Sequence, residues 1–396
     1  MRRPAISFLS SMVASVALLA LAAAPAMAEP HDFGPEAKLL YRAVACGGAA
    51  STPVPAGLDA ATVDAHCKQV AAWYPSIETK YLAPARTFFA AVRPGNLPRS
   101  IVYPFGGGDL LSALVTFPDA TEITTLSLEH AGDPTRLAGA SKAELRRALA
   151  TYREVLRELF ANHDSASDNM KKLERGHVPG QLSMFLAGLA AHGYEPVSLR
   201  FFRIEADGSL HYFDDAELAA MAPVKAKKKR SKWVDTDFSA AFTNSELTFR
   251  RAGDASAPLI THRHIAADLS DRALKGSPVL AYLQQRGQIA AMTKAASYLL
   301  WLGAFSTIRS YLLEHMVWMA SDATGIPPRW AKKAGFVQTT YGRFAGAYLE
   351  DAVGSAEEAP MVNLWRDQPF RKLGFRYGYP DAKKQVHLMI TAKAAP

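Results

Sequence analysis

The chain has 396 residues, two cysteines and a formal net charge of +8, and 49% of its residues are hydrophobic. That length and apolar content suit one large domain with a substantial core and an N-terminal accessory segment. No repeat of roughly 20 to 50 residues is visible, which speaks against a solenoid or a propeller.

The chain opens as a secretory leader does. Arg2 and Arg3 precede an apolar run from Met12 to Ala24, and Ala26-Met27-Ala28 reads as a small-x-small cleavage site before Glu29. Residues 1–28 are therefore expected to be a signal peptide, and the mature chain to be periplasmic or secreted. No later stretch reads as a membrane span; Ala295 to Trp318 comes nearest, but Arg309, Glu314 and His315 interrupt it. Export also bears on Cys46 and Cys67, which an oxidising compartment is expected to join. Closing that loop would stabilise the fold by about 3 kcal/mol in the chain-entropy model. His66 is the only histidine near them, and two cysteines with one histidine do not complete a structural zinc site.

Residues 29–98 are expected to form a helical segment that carries this bridge, with helices near 35–50 and 58–91. Pro94, Gly95 and Pro98 then break the chain, and residues 99–396 are expected to be a single α/β domain. Ile101 to Phe105 reads as a strand, Gly106-Gly107-Gly108 as a turn, and Leu110 to Phe117 as a helix with Asp109 at its N-cap. Glu122 to Leu128 is a second strand. Ser141-Lys-Ala-Glu144 is a capping box opening a long helix to about Asn162, and Gln181 to Ala191 is another helix. Strands follow at Val197–Ile204 and Leu210–Phe213, around the turn Asp207-Gly208. The run Lys225-Ala-Lys-Lys-Lys-Arg-Ser-Lys232 holds six positive charges, inside a basic loop spanning 223–235. Export argues against nucleic acid as its partner; it reads as a solvated loop or a contact for anionic lipid or cell-wall polymer. Glu246–Arg251 and Leu259–Ala266 read as strands, Val279–Gln285 and Phe305–His315 as helices. Further elements are expected at 336–341, 375–379 and 385–391, the last two as a hairpin about Pro380-Asp381. Strands alternating with helices predict an α/β fold, a three-layer sheet with helices on both faces.

The strongest local pattern is strand, glycine turn, helix, strand, acid, from Tyr103-Pro-Phe105-Gly-Gly-Gly-Asp109 to Glu129. In a nucleotide-binding βαβ unit the glycines bring backbone N–H groups to a ligand, and an acid about 20 residues on accepts from ribose hydroxyls. The organisation resembles the opening of a class I S-adenosylmethionine-dependent methyltransferase fold, which implies a Rossmann-like core. The turn departs from that family's G-x-G-x-G, and Tyr-Pro-Phe stands where it places an acid. Tyr103, Phe105, Gly106, Gly107 and Gly108 are thus candidate ligand-binding residues. Asp109, Glu129 and His130 are candidates for acid–base work, with Asp133 beside them at the end of the second strand. His262 and His264 fall on one strand face, which suits two metal ligands. Asp322 and Arg329 flank a rigid Gly-Ile-Pro-Pro turn and are further binding candidates or a structural ion pair.

Tyr103-Pro-Phe-Gly-Gly-Gly-Asp109, Ser127-Leu-Glu129, Lys294-Ala-Ala-Ser-Tyr-Leu-Leu300, Phe305-Ser-Thr-Ile-Arg309 and Asp322-Ala-Thr-Gly-Ile-Pro327 together resemble a group of uncharacterised secreted bacterial proteins. The resemblance spans Ser100 to the C-terminus. It implies a bacterial exported α/β protein and carries no catalytic assignment. Three readings stay open: a small-ligand site at the glycine turn, a non-catalytic envelope scaffold or binding protein, and a metal-dependent hydrolase. Neither a cofactor nor an oligomeric state follows from the sequence.

Overall fold

The computed structural model describes residues 28–48, 54–162, 172–173, 178–221, 239–346 and 355–394. The expected leader up to Met27 and the basic loop 223–235 lie outside the described residues. Ten strands form one mixed sheet: β1 (Ser100–Pro104), β2 (Glu122–Ser127), β3 (Tyr194–Ile204), β4 (Leu210–Tyr212), β5 (Asn244–Arg251), β6 (Ile260–Ala266), β7 (Ile289–Thr293), β8 (Met316–Ser321), β9 (Phe336–Gly342) and β10 (His387–Lys393). Across the sheet they run β4-β3-β5-β6-β2-β1-β7-β8-β10-β9. The five central strands, β6-β2-β1-β7-β8, are parallel to one another. Both flanks pair antiparallel.

The principal helices are α1 (Gly34–Ala43), α2 (Ala60–Ala71), α3 (Ala83–Val92), α4 (Leu110–Thr116), α5 (Lys142–Asn162), α6 (Gly180–His192), α7 (Pro278–Gln284), α8 (Ser306–His315), α9 (Pro328–Lys333) and α10 (Glu358–Arg366). Central strands are apolar on both faces because both are covered. Ile101, Tyr103, Ile123, Ala290, Met292 and Trp318 join one core, with Leu145 of α5 and Phe185 of α6. Their neighbours Val102, Leu126, Ala291 and Met319 join a second, with Leu283 of α7, Leu312 of α8 and Ala331 of α9. The N-terminal helices belong to the first core, through Leu40, Val63, Tyr81 and Phe89. Each such large apolar side chain contributes about 1.5–3 kcal/mol on burial.

Local signals act as their chemistry requires. Asp109 caps α4 by accepting from Ser112 N at 3.0 Å. At α5, Ser141 Oγ accepts from Glu144 N at 3.3 Å, and Glu144 accepts from Ser141 N at 2.9 Å. Cys46 and Cys67 are bridged, with Cα atoms 5.2 Å apart. Both edges of the sheet are partly covered, as exposed edges must be to avoid pairing with other chains. Where β3 runs on past the short outer strand β4, Phe33 N donates to its Leu199 O at 2.7 Å. On β9, Gln368 accepts from Thr340 N and donates to Gln338 O.

Three expectations differ from the structure. The terminal hairpin about Pro380 does not form, because residues 375–379 are not a strand and β10 lies between β8 and β9. Phe375 and Tyr377 instead pack their rings against Phe88 and Phe89 of α3, an alternation that imitates a strand. The strands β7 and β8 were not expected, since Ile-Ala-Ala-Met-Thr of β7 is buried throughout and offers no alternation to read. Finally, α1 stops at Ala43, short of the expected residue 50.

Candidate functional site

In open α/β sheets, ligands bind beyond the C-terminal ends of the parallel strands, where the order of crossovers reverses. Here β1 has β2 on one side and β7 on the other, so the loops after β1, β2 and β7 meet there. Phe105 begins the glycine turn at φ +60°, and Gly107 follows at φ +50°. A positive φ on an aromatic residue is strained, and such strain gathers at functional sites and tight turns. Gly106 N donates to Leu126 O at 3.0 Å, tying the turn to the end of β2. A Cβ on Gly108 would lie 2.7 Å from Met184 Cβ. Glycine is thus demanded by the close approach of α6.

Asp109 faces inward. It is 1% exposed, and besides capping α4 it accepts from Tyr103 Oη at 3.1 Å and from Lys294 Nζ at 2.8 Å. Lys294, which follows β7, also donates to Ser112 Oγ at 2.7 Å. Its ammonium lies 5.7 Å from the Tyr81 ring and 5.1 Å from that of Tyr377. Burial, then the Asp109 carboxylate, pushes the Tyr103 phenol well above its ordinary value, so it stays a donor. This cage locks the loop after β1 to the loop after β7.

Glu129 is half-buried and meets Gln181 of α6. The Gln181 amide donates to Ser127 Oγ at 3.3 Å and to Glu129 Oε2 at 3.4 Å. Its own Oε1 lies 2.9 Å from the point where a Gly108 Cβ would stand. The fully buried Gln181 side chain therefore spans the gap between the glycine turn and the acid. Next to it, Leu182 N donates to Ala131 O, and Gly132 presses on Pro179. His130 is half-buried on the same loop. Asp133 accepts from Thr135 N at 2.9 Å and from Thr135 Oγ1 at 2.7 Å, closing a turn.

His262 and His264 do share a face, and both are fully buried. His264 Nε2–H donates to Glu129 O at 2.8 Å. Its Nδ1 therefore accepts from Thr125 Oγ1 at 3.2 Å, and Thr125 in turn accepts from His262 Nε2 at 2.9 Å. His262 Nδ1 is left buried without a partner. The Phe185 ring of α6 lies against both imidazoles, 4.3 Å and 5.3 Å between centroids. Burial pushes His262 well below its ordinary value and His264 to about 4, so both rings are neutral at pH 7. Both nitrogens of His264 are already engaged. Among the described residues, the one set of three metal-ligating side chains is Cys46, His66 and Cys67, far along the chain from this pair.

The turn after β8 keeps its two candidates apart. Asp322 is buried and accepts from Thr324 N at 2.9 Å, while Ser297 Oγ and Thr324 Oγ1 lie 2.6 Å apart. Arg329 points outward, pairs with Glu357 and stacks over Trp330. Two cavities, of about 330 Å³ beside Arg99 and Phe117 and about 430 Å³ between α7 and α8, lie away from these loops.

Sequence reasoning did not anticipate Gln181 or the role of Lys294. The Asp109–Lys294 contact joins residues 185 apart, and no local pattern announces it. Gln181 could have been flagged only as a polar residue at the head of an otherwise apolar helix. No protein-family model, no curated protein and no solved structure matches the chain.

Proposed function

We propose that this chain is an exported bacterial envelope protein built on a degenerate Rossmann-like core of the class I methyltransferase type, and that it works by binding rather than by catalysis. Counted along the chain from β1, the parallel strands run 3-2-1-4-5, the doubly wound order, which favours that core. An antiparallel β10 next to the fifth of them is in keeping with the same type.

The observation that carries the reading is Gln181. Its side chain occupies the interval between Gly108 and Glu129, where a cofactor's polar groups would contact the turn and the acid. Asp109 is engaged by Lys294 in the same crevice. With both groups committed to the fold, partner contact falls to other surfaces. The six positive charges between Lys225 and Lys232 then serve as the contact for an anionic lipid or polymer.

Two measurements test this. Millimolar S-adenosylmethionine, NAD or ATP should leave the melting temperature within about 1 °C of the free protein. A rise of several degrees that disappears in Glu129→Gln would overturn it. The protein should co-sediment with phosphatidylglycerol vesicles at low salt, and a variant lacking residues 225–232 should not. Equal sedimentation of the two removes the proposed contact.

A further inference from the structure

The chain crosses from α3 to β1 through Pro94-Gly95-Asn96-Leu97-Pro98, a span stiffened by its two prolines. A cleft of about 330 Å³ separates this crossing from the turn between α4 and β2. It lies at the N-terminal ends of the parallel strands, opposite the glycine turn. Buried Ile101, Phe117 and Ala120 line it, together with half-buried Pro94, Leu97 and Pro98. Phe117 is fixed in place by Trp318, with 5.6 Å between ring centroids. The volume equals about eleven waters at ~30 Å³ each, within the range of small-ligand sites.

The charged residues of the cleft are Arg93, Arg99 and Asp119. Arg93 donates to Thr116 O at 2.9 Å and to Asp119 Oδ2 at 2.8 Å, so its charge is matched. Arg99 Nε–H donates to Asp119 O at 2.7 Å. Among the described residues no carboxylate pairs with Arg99, and its terminal nitrogens make no hydrogen bond. Glu122, the next acid along the chain, is held by Arg263 and Arg286. Two arginines against one aspartate leave the cleft one positive charge, and it belongs to Arg99. Anchored at Nε, that guanidinium presents the planar fork that meets a carboxylate in two parallel hydrogen bonds. A side chain already held in place also loses less freedom on binding.

We propose that this cleft binds a small amphiphilic carboxylate, its head group paired with Arg99 and its apolar chain laid between the Pro94–Pro98 crossing and Phe117. A short carboxylate leaves the apolar lining in water. A neutral apolar molecule leaves the guanidinium fork unanswered. The site therefore recognises the two halves of the ligand together, apolar side chains giving contact and one polar group giving orientation.

The experiment titrates the whole chain at pH 7 with octanoate, octanol, acetate and inorganic phosphate, read by calorimetry and by methyl NMR. One octanoate per chain is expected, bound at least about tenfold more tightly than any of the other three. No binding at millimolar octanoate overturns the site. Octanol binding as tightly overturns the role of charge, and acetate or phosphate binding as tightly overturns that of the apolar chain. Arg99 is exposed, so Arg99→Gln should keep its fold by circular dichroism while octanoate affinity falls at least about tenfold and octanol affinity stays. Arg99→Lys keeps the charge without the fork and should recover only part of that loss. Unchanged affinity in Arg99→Gln overturns the site, and full affinity in Arg99→Lys overturns the paired hydrogen bonds. Intermolecular NOEs from octanoate to the Leu97 and Ile101 methyls locate the ligand in the unaltered chain, whatever the variants do. NOEs confined to other methyls overturn the assignment.

Discussion

Two polar clusters sit in the same apolar core and solve the problem of burial in opposite ways. Asp109 and Lys294 meet as an ion pair, each 1% exposed, with Tyr103, Ser112 and two aromatic rings closing around them. Two strands away, His262 and His264 are equally buried, but they are kept neutral by burial and strung on one hydroxyl, that of Thr125. An ion pair in low dielectric tolerates no missing partner, because the charge left behind is stranded. A neutral chain tolerates one orphan, here His262 Nδ1, and depends on the pH instead. Both clusters use residue types that mark catalytic sites, and in both these side chains bond to neighbours within the fold.

Acid should break the neutral cluster most severely. The folded pKa values of His66, His192 and His264 are pushed down to about 4 and that of His387 to about 3, in each case chiefly by burial, with His262 also far below normal. Since the folded values lie below the ordinary 6.5, the unfolded chain takes up protons first. The stability these groups confer is complete above pH 6.5 and is lost as pH falls toward 4. At about 1.4 kcal/mol per pKa unit, each ring lowered from 6.5 to about 4 costs up to about 3 kcal/mol as pH falls to 4, and several such rings together approach the whole stability of a domain. Urea melts at pH 7.0, 6.0, 5.0 and 4.5 should show the midpoint collapsing. A midpoint that is flat over this interval would contradict the neutral assignment.

The ion pair should respond to deletion of one partner. Lys294→Met is expected to cost about 3–5 kcal/mol, by chemical denaturation at pH 7, because Asp109 is then buried without its counter-charge. The double variant Asp109→Asn/Lys294→Met keeps the cap on α4 and removes both charges, so it should recover a large part of that loss. A double variant no better than the single one would show that packing, not charge, is what Lys294 supplies.

Thr125→Val sharpens the contrast at smaller cost. It withdraws one hydrogen-bond partner from each histidine and should destabilise by about 1–3 kcal/mol. Unlike Lys294→Met, it should shift nitrogen chemical shifts of both imidazoles, read by NMR at pH 7. Unmoved shifts would mean that the hydroxyl does not join the two rings.

How much of this was legible follows from the range of the interactions. The capping box at Ser141, the Asp109 cap, the strand β1 and the face shared by His262 and His264 are all set within a few residues, and each has its expected geometry. The sheet centre was only partly legible. Ile-Ala-Ala-Met-Thr of β7 is buried on both faces and so carries no alternation to read. Phe375 and Tyr377 alternate like a strand but serve helix α3.

The glycine turn shows where the division falls. Its conformation is local: a short apolar strand, three glycines and a capping aspartate determine strand, turn and helix from sequence alone, and a chain with two cysteines leaves them one possible bridge. Which side chains surround that turn was decided only in three dimensions. Lys294 reaches Asp109 from 185 residues away, and Gln181 reaches Glu129 from 52. Backbone geometry depends on neighbours in the chain, whereas access and charge pairing depend on which distant side chains the packing of the sheet delivers to the same few ångströms.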